Sequence, residues 1–198
     1  DALLQVAIAH RREFVAGRGI QGHQIALRVA KLVGVDFLLN VAITADRRTA
    51  GIYCGDLEAA HQAGCRDVSR WTSVRIDGPY DLVVTCGGGY PLDQTFYQTV
   101  KGMCTALPAL GPTSTLLQVS RCDEKLGGAN YTELMLRWGS DWRGFLAELA
   151  AHPDRTLLDQ WEFQMHARVL ERIGVERLRF VSDGIDADVQ KRLGVAPV

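Results

Sequence analysis

Short apolar runs rich in β-branched residues alternate along this chain with segments of helical periodicity. The clearest run, residues 81–86, ends in three glycines and is followed by a helical pattern over about 94–107, as expected for a strand buried on both faces of a parallel sheet. Further strands are predicted at 35–44, 49–54, 73–76, 115–120 and 178–181, and further helices at 2–14, 22–33, 56–64, 131–138, 142–151, 156–173 and 185–193. This order predicts an α/β fold, a three-layer Rossmann-like domain whose sheet is mixed but mostly parallel, with a hairpin at 35–54.

Composition excludes several classes of protein. The 198 residues carry 22 Lys and Arg against 23 Asp and Glu, a net charge of -1 with no long run of like charge, which argues against nucleic acid as a partner. No apolar stretch approaches the roughly 18 residues that span a bilayer, and the first residues lack the order of a signal peptide. We therefore expect a soluble, cytoplasmic protein without a membrane partner.

No linker, repeat or low-complexity segment interrupts the chain, so residues 1–198 are interpreted as a single α/β domain. The sequence does not begin with Met, and it stops just after the last predicted helix. We expect this domain to be the carboxyl-terminal part of a larger protein whose amino-terminal domain is absent here.

Cysteine and histidine spacing predicts neither disulfides nor a metal site. The five cysteines are an odd number without a CxxC pair, and the histidines show no HxxxH or HExxH spacing. These residues are Cys54, Cys65, Cys86, Cys104 and Cys122, with His10, His23, His61, His152 and His166.

The loop after the 81–86 strand is the most promising ligand site, because ligands of open α/β sheets collect at the carboxyl ends of strands. Residues 87–89 are all glycine, Pro91 stiffens the turn, and Asp93 is the predicted N-cap of the next helix. A helix N-terminus of this kind attracts anions. The triple glycine does not match the dinucleotide fingerprint.

The predicted helix at 94–107 has a buried stripe and a polar face. Apolar side chains recur at helical spacing at Phe96, Val100, Met103 and Leu107, and polar ones at Gln94, Tyr97, Gln98 and Lys101. An ammonium, an amide and a phenol together suit a small carboxylate or hydroxy acid. The alternative interpretation is a solvated helix face beside a purely structural loop.

Trp161 shares helical spacing with Leu158 and Met165. An apolar stripe of this kind more often forms a core than a site, so the general expectation for Trp161 is a core anchor. No P-loop, nucleophile elbow or paired-carboxylate signature accompanies it.

Several segments resemble the carboxyl-terminal half of the nickel-dependent lactate racemase family. The blocks that carry the resemblance are residues 34–41, 55–65, 81–94 and 97–103, in the family's order, and the match weakens after Cys122. The resemblance implies a 2-hydroxy-acid racemase or epimerase, an isomerase that uses a nickel-pincer nucleotide to take up and return a hydride at the substrate α-carbon. It places the two catalytic histidines and the lysine that tethers the cofactor in the absent amino-terminal half.

Residue by residue, the resemblance assigns substrate positioning to Tyr97, Gln98, Lys101 and Trp161. His10 is the only candidate for a nickel-binding histidine of the family, but its spacing to the next helix is short, so no metal ligand is assigned. A non-catalytic module that binds a small carboxylate or nucleotide, and a plain interaction scaffold, remain alternatives. The identity of the hydroxy acid and the oligomeric state stay open.

Overall fold

The computed structural model describes residues 18–198, with side chains from Gln24 onward. The chain divides into two compact units, Asp1–Arg75 and Ile76–Val198. The described elements are α1 (Arg18–Val33), β1 (Leu38–Ile43), β2 (Thr49–Gly55), α2 (Leu57–Thr72), β3 (Tyr80–Cys86), α3 (Phe96–Ala106), β4 (Leu110–Val119), α4 (Ala129–Trp138), α5 (Trp142–Ala151), α6 (Gln160–Ile173), β5 (Leu178–Val181), α7 (Ala187–Arg192) and β6 (Ala196–Pro197). The predicted helix at 2–14 lies outside the described residues.

In the first unit, β1 and β2 form the predicted antiparallel hairpin, a two-stranded sheet of its own. Helix α2 packs on one face of this hairpin through a small cluster of Ala42, Tyr53, Ala60 and Val68. Asp56 caps α2 as predicted, because its carboxylate accepts hydrogen bonds from the first free amides of the helix.

Two predictions in the first unit are wrong. Helix α2 does not end at Gly64 but continues to Thr72. A Cβ at Gly64 would lie 3.1 Å from the ring of Tyr53, so this glycine allows the helix to approach the hairpin rather than ending it. Residues 73–76 form no strand, because they find no partner strand and Ser73 instead closes the end of α2.

The second unit contains a parallel four-stranded sheet in the order β3-β4-β5-β6. Helices α3 and α6 pack together on one face of it, over the buried strand residues Leu116, Leu178 and Phe180. The α/β class and the mostly parallel sheet predicted from the sequence are confirmed. Among the described residues, no helix is long and apolar enough to cross a membrane.

Strand β3 departs from the prediction of burial on both faces. It is the edge strand of the sheet, and Leu82 and Val84 on its outer face are 58% and 63% exposed. Cys86, at the end of this strand, is exposed as well. A continuous apolar run therefore marks a strand here without showing how many of its faces are covered.

The core of the second unit is aromatic and lies under α3 and α6. Phe96, from the start of α3, meets the ring of Phe180 edge to face at a centroid distance of 5.4 Å, and Phe145 stacks on Phe163 at 4.2 Å. Three residues of the predicted stripe, Phe96, Val100 and Met103, are fully enclosed, whereas Leu107 follows the end of α3 and is half-buried. This packing holds α3 and α6 side by side and so positions the residues described next.

Candidate functional site

The amides at the N-terminus of α3 are already occupied by the protein itself. Thr95 is the N-cap, and its hydroxyl accepts a hydrogen bond from the Gln98 amide. The amides of Phe96 and Tyr97 donate to main-chain carbonyls of the loop at 125–126, at 2.9 and 3.1 Å. An anion therefore finds no free amide at these positions, and the predicted anion site at the helix N-terminus is wrong.

Asp93 is not the helix cap that the sequence predicts. Its side chain accepts a hydrogen bond from the amide of Arg121, and its main-chain carbonyl accepts one from Cys122. Asp93 thus joins the glycine loop to the segment after β4. It does not cap α3, because the helix begins two residues later than expected and Thr95 is its N-cap.

The polar face of α3 carries the other predicted site residues. Tyr97 and Gln98 are half-buried, whereas Lys101, one turn further along, is exposed. Within residues 18–198, neither the Lys101 ammonium nor the Gln98 side-chain amide has a hydrogen-bond or ion-pair partner. Both groups are available to a ligand. Gln94 precedes the helix and is half-buried.

Tyr97 links α3 to two other helices through its ring. Its ring meets Trp161 of α6 edge to face at 6.0 Å between centroids, and Tyr131 of α4 in the same manner at 5.0 Å. The structure therefore brings Tyr97 and Trp161 together although 64 positions separate them in the sequence. Burial, with smaller contributions from Glu162 and Asp159, raises the pKa of Tyr97 and keeps it a neutral hydrogen-bonding group.

Trp161 is not the core anchor that its spacing suggests. Its side chain is 51% exposed, and Leu158 is 69% exposed. The buried stripe of α6 is instead formed by Phe163, Ala167 and Leu170. Met165, in contrast, is half-buried and packs against the core. Trp161 therefore lies at the partly exposed margin of α6, with its ring against that of Tyr97.

Glu162 is the site residue that sequence reasoning missed. It is only 1% exposed, and neither carboxylate oxygen has a hydrogen-bond partner. Burial raises its pKa to about 7; the charge of Lys101 opposes this rise and that of Asp159 adds to it. A glutamate on the same stripe as Phe163 and Leu170 was the available signal, since a charged residue at a core position of a helix calls for an explanation.

Tyr131 also lies at this junction and was not predicted. It is fully buried, and its hydroxyl has no hydrogen-bond partner in the described part of the chain. Burial raises its pKa well above the ordinary value, and the Glu162 charge raises it further. One cluster of side chains thus lies where three helices meet, and we call it the α3–α6 cluster. Its members are Tyr97, Lys101, Tyr131, Trp161 and Glu162.

The described residues offer no cluster of three or more His, Cys, Asp or Glu side chains that could hold a metal ion. His166 is buried among aromatic rings, and burial lowers its pKa to about 4, an effect that the Leu193 backbone partly offsets. His10 lies outside the described residues. The polar face of α3 presents an ammonium from Lys101, an amide from Gln98 and a phenol from Tyr97, and this chemistry suits a carboxylate or hydroxyl rather than a soft metal.

Comparison with known proteins places the chain in a family. The family described as the lactate racemase C-terminal domain matches residues 77–197. The chain belongs to this lactate racemase family. It is 37% identical over 166 residues to the lactate racemase of Lactiplantibacillus plantarum, which covers 83% of this chain and 37% of that protein. It is 34% identical over 152 residues to the lactate racemase of Thermoanaerobacterium thermosaccharolyticum, covering 75% of this chain and 34% of that one.

The fold agrees with this family membership. The solved structure of the lactate racemase apoprotein from Thermoanaerobacterium thermosaccharolyticum matches with a TM-score of 0.77 at 32% identity, over 87% of this chain and 40% of that chain. The chain therefore spans between a third and two-fifths of the length of these lactate racemases.

Proposed function

We propose that this chain supplies the carboxylate-binding side of the active site of a lactate racemase-like isomerase, a racemase or epimerase of 2-hydroxy acids. Lys101 holds the substrate carboxylate, Gln98 and Tyr97 orient the carboxylate and hydroxyl, and Trp161 forms a wall of the pocket. The observation that carries this proposal is the unpaired Lys101 ammonium, exposed on the helix face that also presents Tyr97 and Gln98. Family membership supports the proposed substrate class, since both curated relatives are named lactate racemase.

The chain's own residues perform binding and orientation in this proposal. The Lys101 ammonium forms a charge-assisted hydrogen bond with the carboxylate, and the Gln98 amide fixes the plane of that group. The Tyr97 phenol donates a hydrogen bond to the substrate hydroxyl. The rings of Tyr97 and Trp161, which pack edge to face, exclude water from the reacting carbon. Holding the substrate in one orientation lowers the barrier to any transfer at its α-carbon.

We further propose that a nickel-pincer nucleotide, which supplies hydride acceptance, is held by an amino-terminal domain of the full-length protein. The described residues of this chain do not fit that role, because they lack a cluster of metal ligands and their free polar groups suit a carboxylate. We also propose that the amino-terminal domain carries two catalytic histidines, that the protein is cytoplasmic, and that residues 1–198 belong to one domain.

The test replaces Lys101 in the full-length protein and measures racemisation of lactate. Loss of a hydrogen bond to a charged group is worth about 1.5–3 kcal/mol, so Lys101→Ala is expected to lower kcat/KM by roughly 10- to 150-fold. Lys101→Arg keeps the charge and is expected to retain part of the activity. The matched control is Lys191→Ala, which removes an exposed lysine from α7.

Three results separate the candidate functions. Racemisation that depends on Lys101 but not on Lys191 supports the proposal. Binding of lactate that depends on Lys101, without racemisation by the full-length protein, favours the carboxylate-binding module. Lactate affinity that Lys101→Ala leaves unchanged contradicts both and favours the interaction scaffold.

A further inference from the structure

Glu162 lies in an environment that ordinary packing does not explain. It follows Trp161 on α6, yet it points into the protein, with 1% of its surface exposed and both carboxylate oxygens without a hydrogen-bond partner. A buried carboxylate without hydrogen bonds is costly to keep ionised. The exposed face of the same helix would have accommodated a glutamate at no such cost.

The groups around Glu162 come from three elements. Helix α3 contributes Tyr97, Lys101 and Cys104, and α4 contributes Tyr131; on α6 itself, Asp159 precedes Glu162 and His166 follows one turn later. Lys101 is the cation whose charge stabilises the ionised form of Glu162, and Asp159 opposes ionisation. Glu162 is therefore coupled electrostatically to the residue that is proposed to hold the substrate.

We propose that Glu162 is a positioning residue that acts through Lys101, so that a substrate carboxylate binds Lys101 when a proton resides on Glu162. This inference rests on the proposed function. In the absence of substrate, the charge of Lys101 favours the ionised form of Glu162. When the substrate carboxylate binds Lys101, it offsets the charge of the ammonium and brings its own negative charge close to Glu162.

Glu162 then takes up one proton from solvent, and it releases that proton when the product leaves. No other bond forms or breaks in this step. Burial already raises the pKa of Glu162 to about 7, so the exchange occurs near neutral pH. By linkage, a ligand that binds with uptake of one proton loses affinity as pH rises through this range, by at most about tenfold per pH unit.

Calorimetric titration of the full-length protein with racemic lactate tests the inference, since turnover leaves a racemic mixture unchanged. Titrations in phosphate and in Tris, whose ionisation enthalpies differ, count the protons taken up. We expect up to one proton per lactate near neutral pH in the wild type, and a Kd that rises as pH increases from about 7 to about 9.

Three variants show whether Glu162 is the group responsible. Glu162→Gln is expected to abolish both the proton uptake and the pH dependence of Kd, whereas Glu162→Asp keeps an ionisable group and is expected to restore them. The matched control is Glu171→Gln, which changes an exposed glutamate on the same helix and should leave both unchanged. A purely structural role for Glu162 would alter the affinity without altering its slope against pH.

Several outcomes overturn the inference. They are a wild-type Kd that does not depend on pH, the absence of proton uptake by the wild type, or a slope that persists in Glu162→Gln. Proton counting on the wild type tests the inference even if Glu162→Gln does not fold. If lactate binds and Lys101→Ala weakens it while these outcomes hold, the proposed function stands and this inference alone fails; if lactate binds at no pH, both fail.

Discussion

Replacing Glu162 by Gln should make the ligand-free protein more stable at high pH, and the gain should depend on pH. Glu162 is 1% exposed, and burial raises its pKa from 4.5 to about 7. The folded state therefore binds a proton on Glu162 more tightly than the unfolded state does. Between pH 4.5 and about 7, the contribution of Glu162 to stability falls as pH rises, and above that range it stays low.

The size of the effect follows from the pKa difference. A difference of about 2.5 pH units, at about 1.4 kcal/mol per unit, corresponds to about 3 kcal/mol in the free energy of unfolding. Gln has the shape of protonated Glu but cannot ionise. Relative to wild type, Glu162→Gln should therefore gain up to about 3 kcal/mol between pH 4.5 and a pH above 7.

Urea unfolding followed by tryptophan fluorescence at a series of pH values measures this gain. Only the difference between variant and wild type is interpreted, because most other titrating groups cancel in it. Glu171→Gln, on the same helix but exposed, should show a nearly constant difference. A difference for Glu162→Gln that is equally constant, or that favours the wild type increasingly at high pH, would refute the argument and indicate a well-paired carboxylate.

Two further predictions concern the fold around the site. A Cβ at Gly102 would collide with the main-chain carbonyl of Cys86, so Gly102→Ala should lower the free energy of unfolding by about 1–3 kcal/mol. The control Gly128→Ala has open space around its Cβ and should change this free energy little. Equal effects of the two substitutions in urea unfolding would contradict the prediction. Burial lowers the pKa of His166 to about 4, so the wild type should lose stability relative to His166→Gln as pH falls from 6.5 toward about 4, and a difference that is flat over this range would contradict the prediction.

Local sequence patterns predicted the elements of the fold well where neighbouring residues in the sequence decide the conformation. The hairpin at β1 and β2 and strand β5 follow from short apolar runs between turn residues. The errors arose where a distant partner decides. Gly64 continues a helix because a ring from the hairpin needs the space, and β3 has an exposed face because helices cover only the other one. Neither partner can be identified from the residues nearby.

The candidate site shows the same division. The face of α3 that presents Tyr97, Gln98 and Lys101 follows from the helical period alone, because all three lie on one helix. The contribution of α6 was assigned to the stripe through Trp161, one position away from the stripe that is buried. Glu162 was missed for that reason. Tyr131 could not be found at all, because only the tertiary structure brings α4 to Tyr97.

Glu162 and His166 occupy successive turns of the buried stripe of α6, and their protonation equilibria oppose each other. Between about pH 4 and about 7, the folded state holds the glutamate protonated and the histidine neutral. Rising pH removes stability through Glu162, while falling pH removes it through His166, over nearly the same interval. The two contributions are similar in size, so they largely cancel in the wild type. A carboxylate that titrates beside Lys101 can therefore be kept in the core without making the stability of the protein strongly dependent on pH.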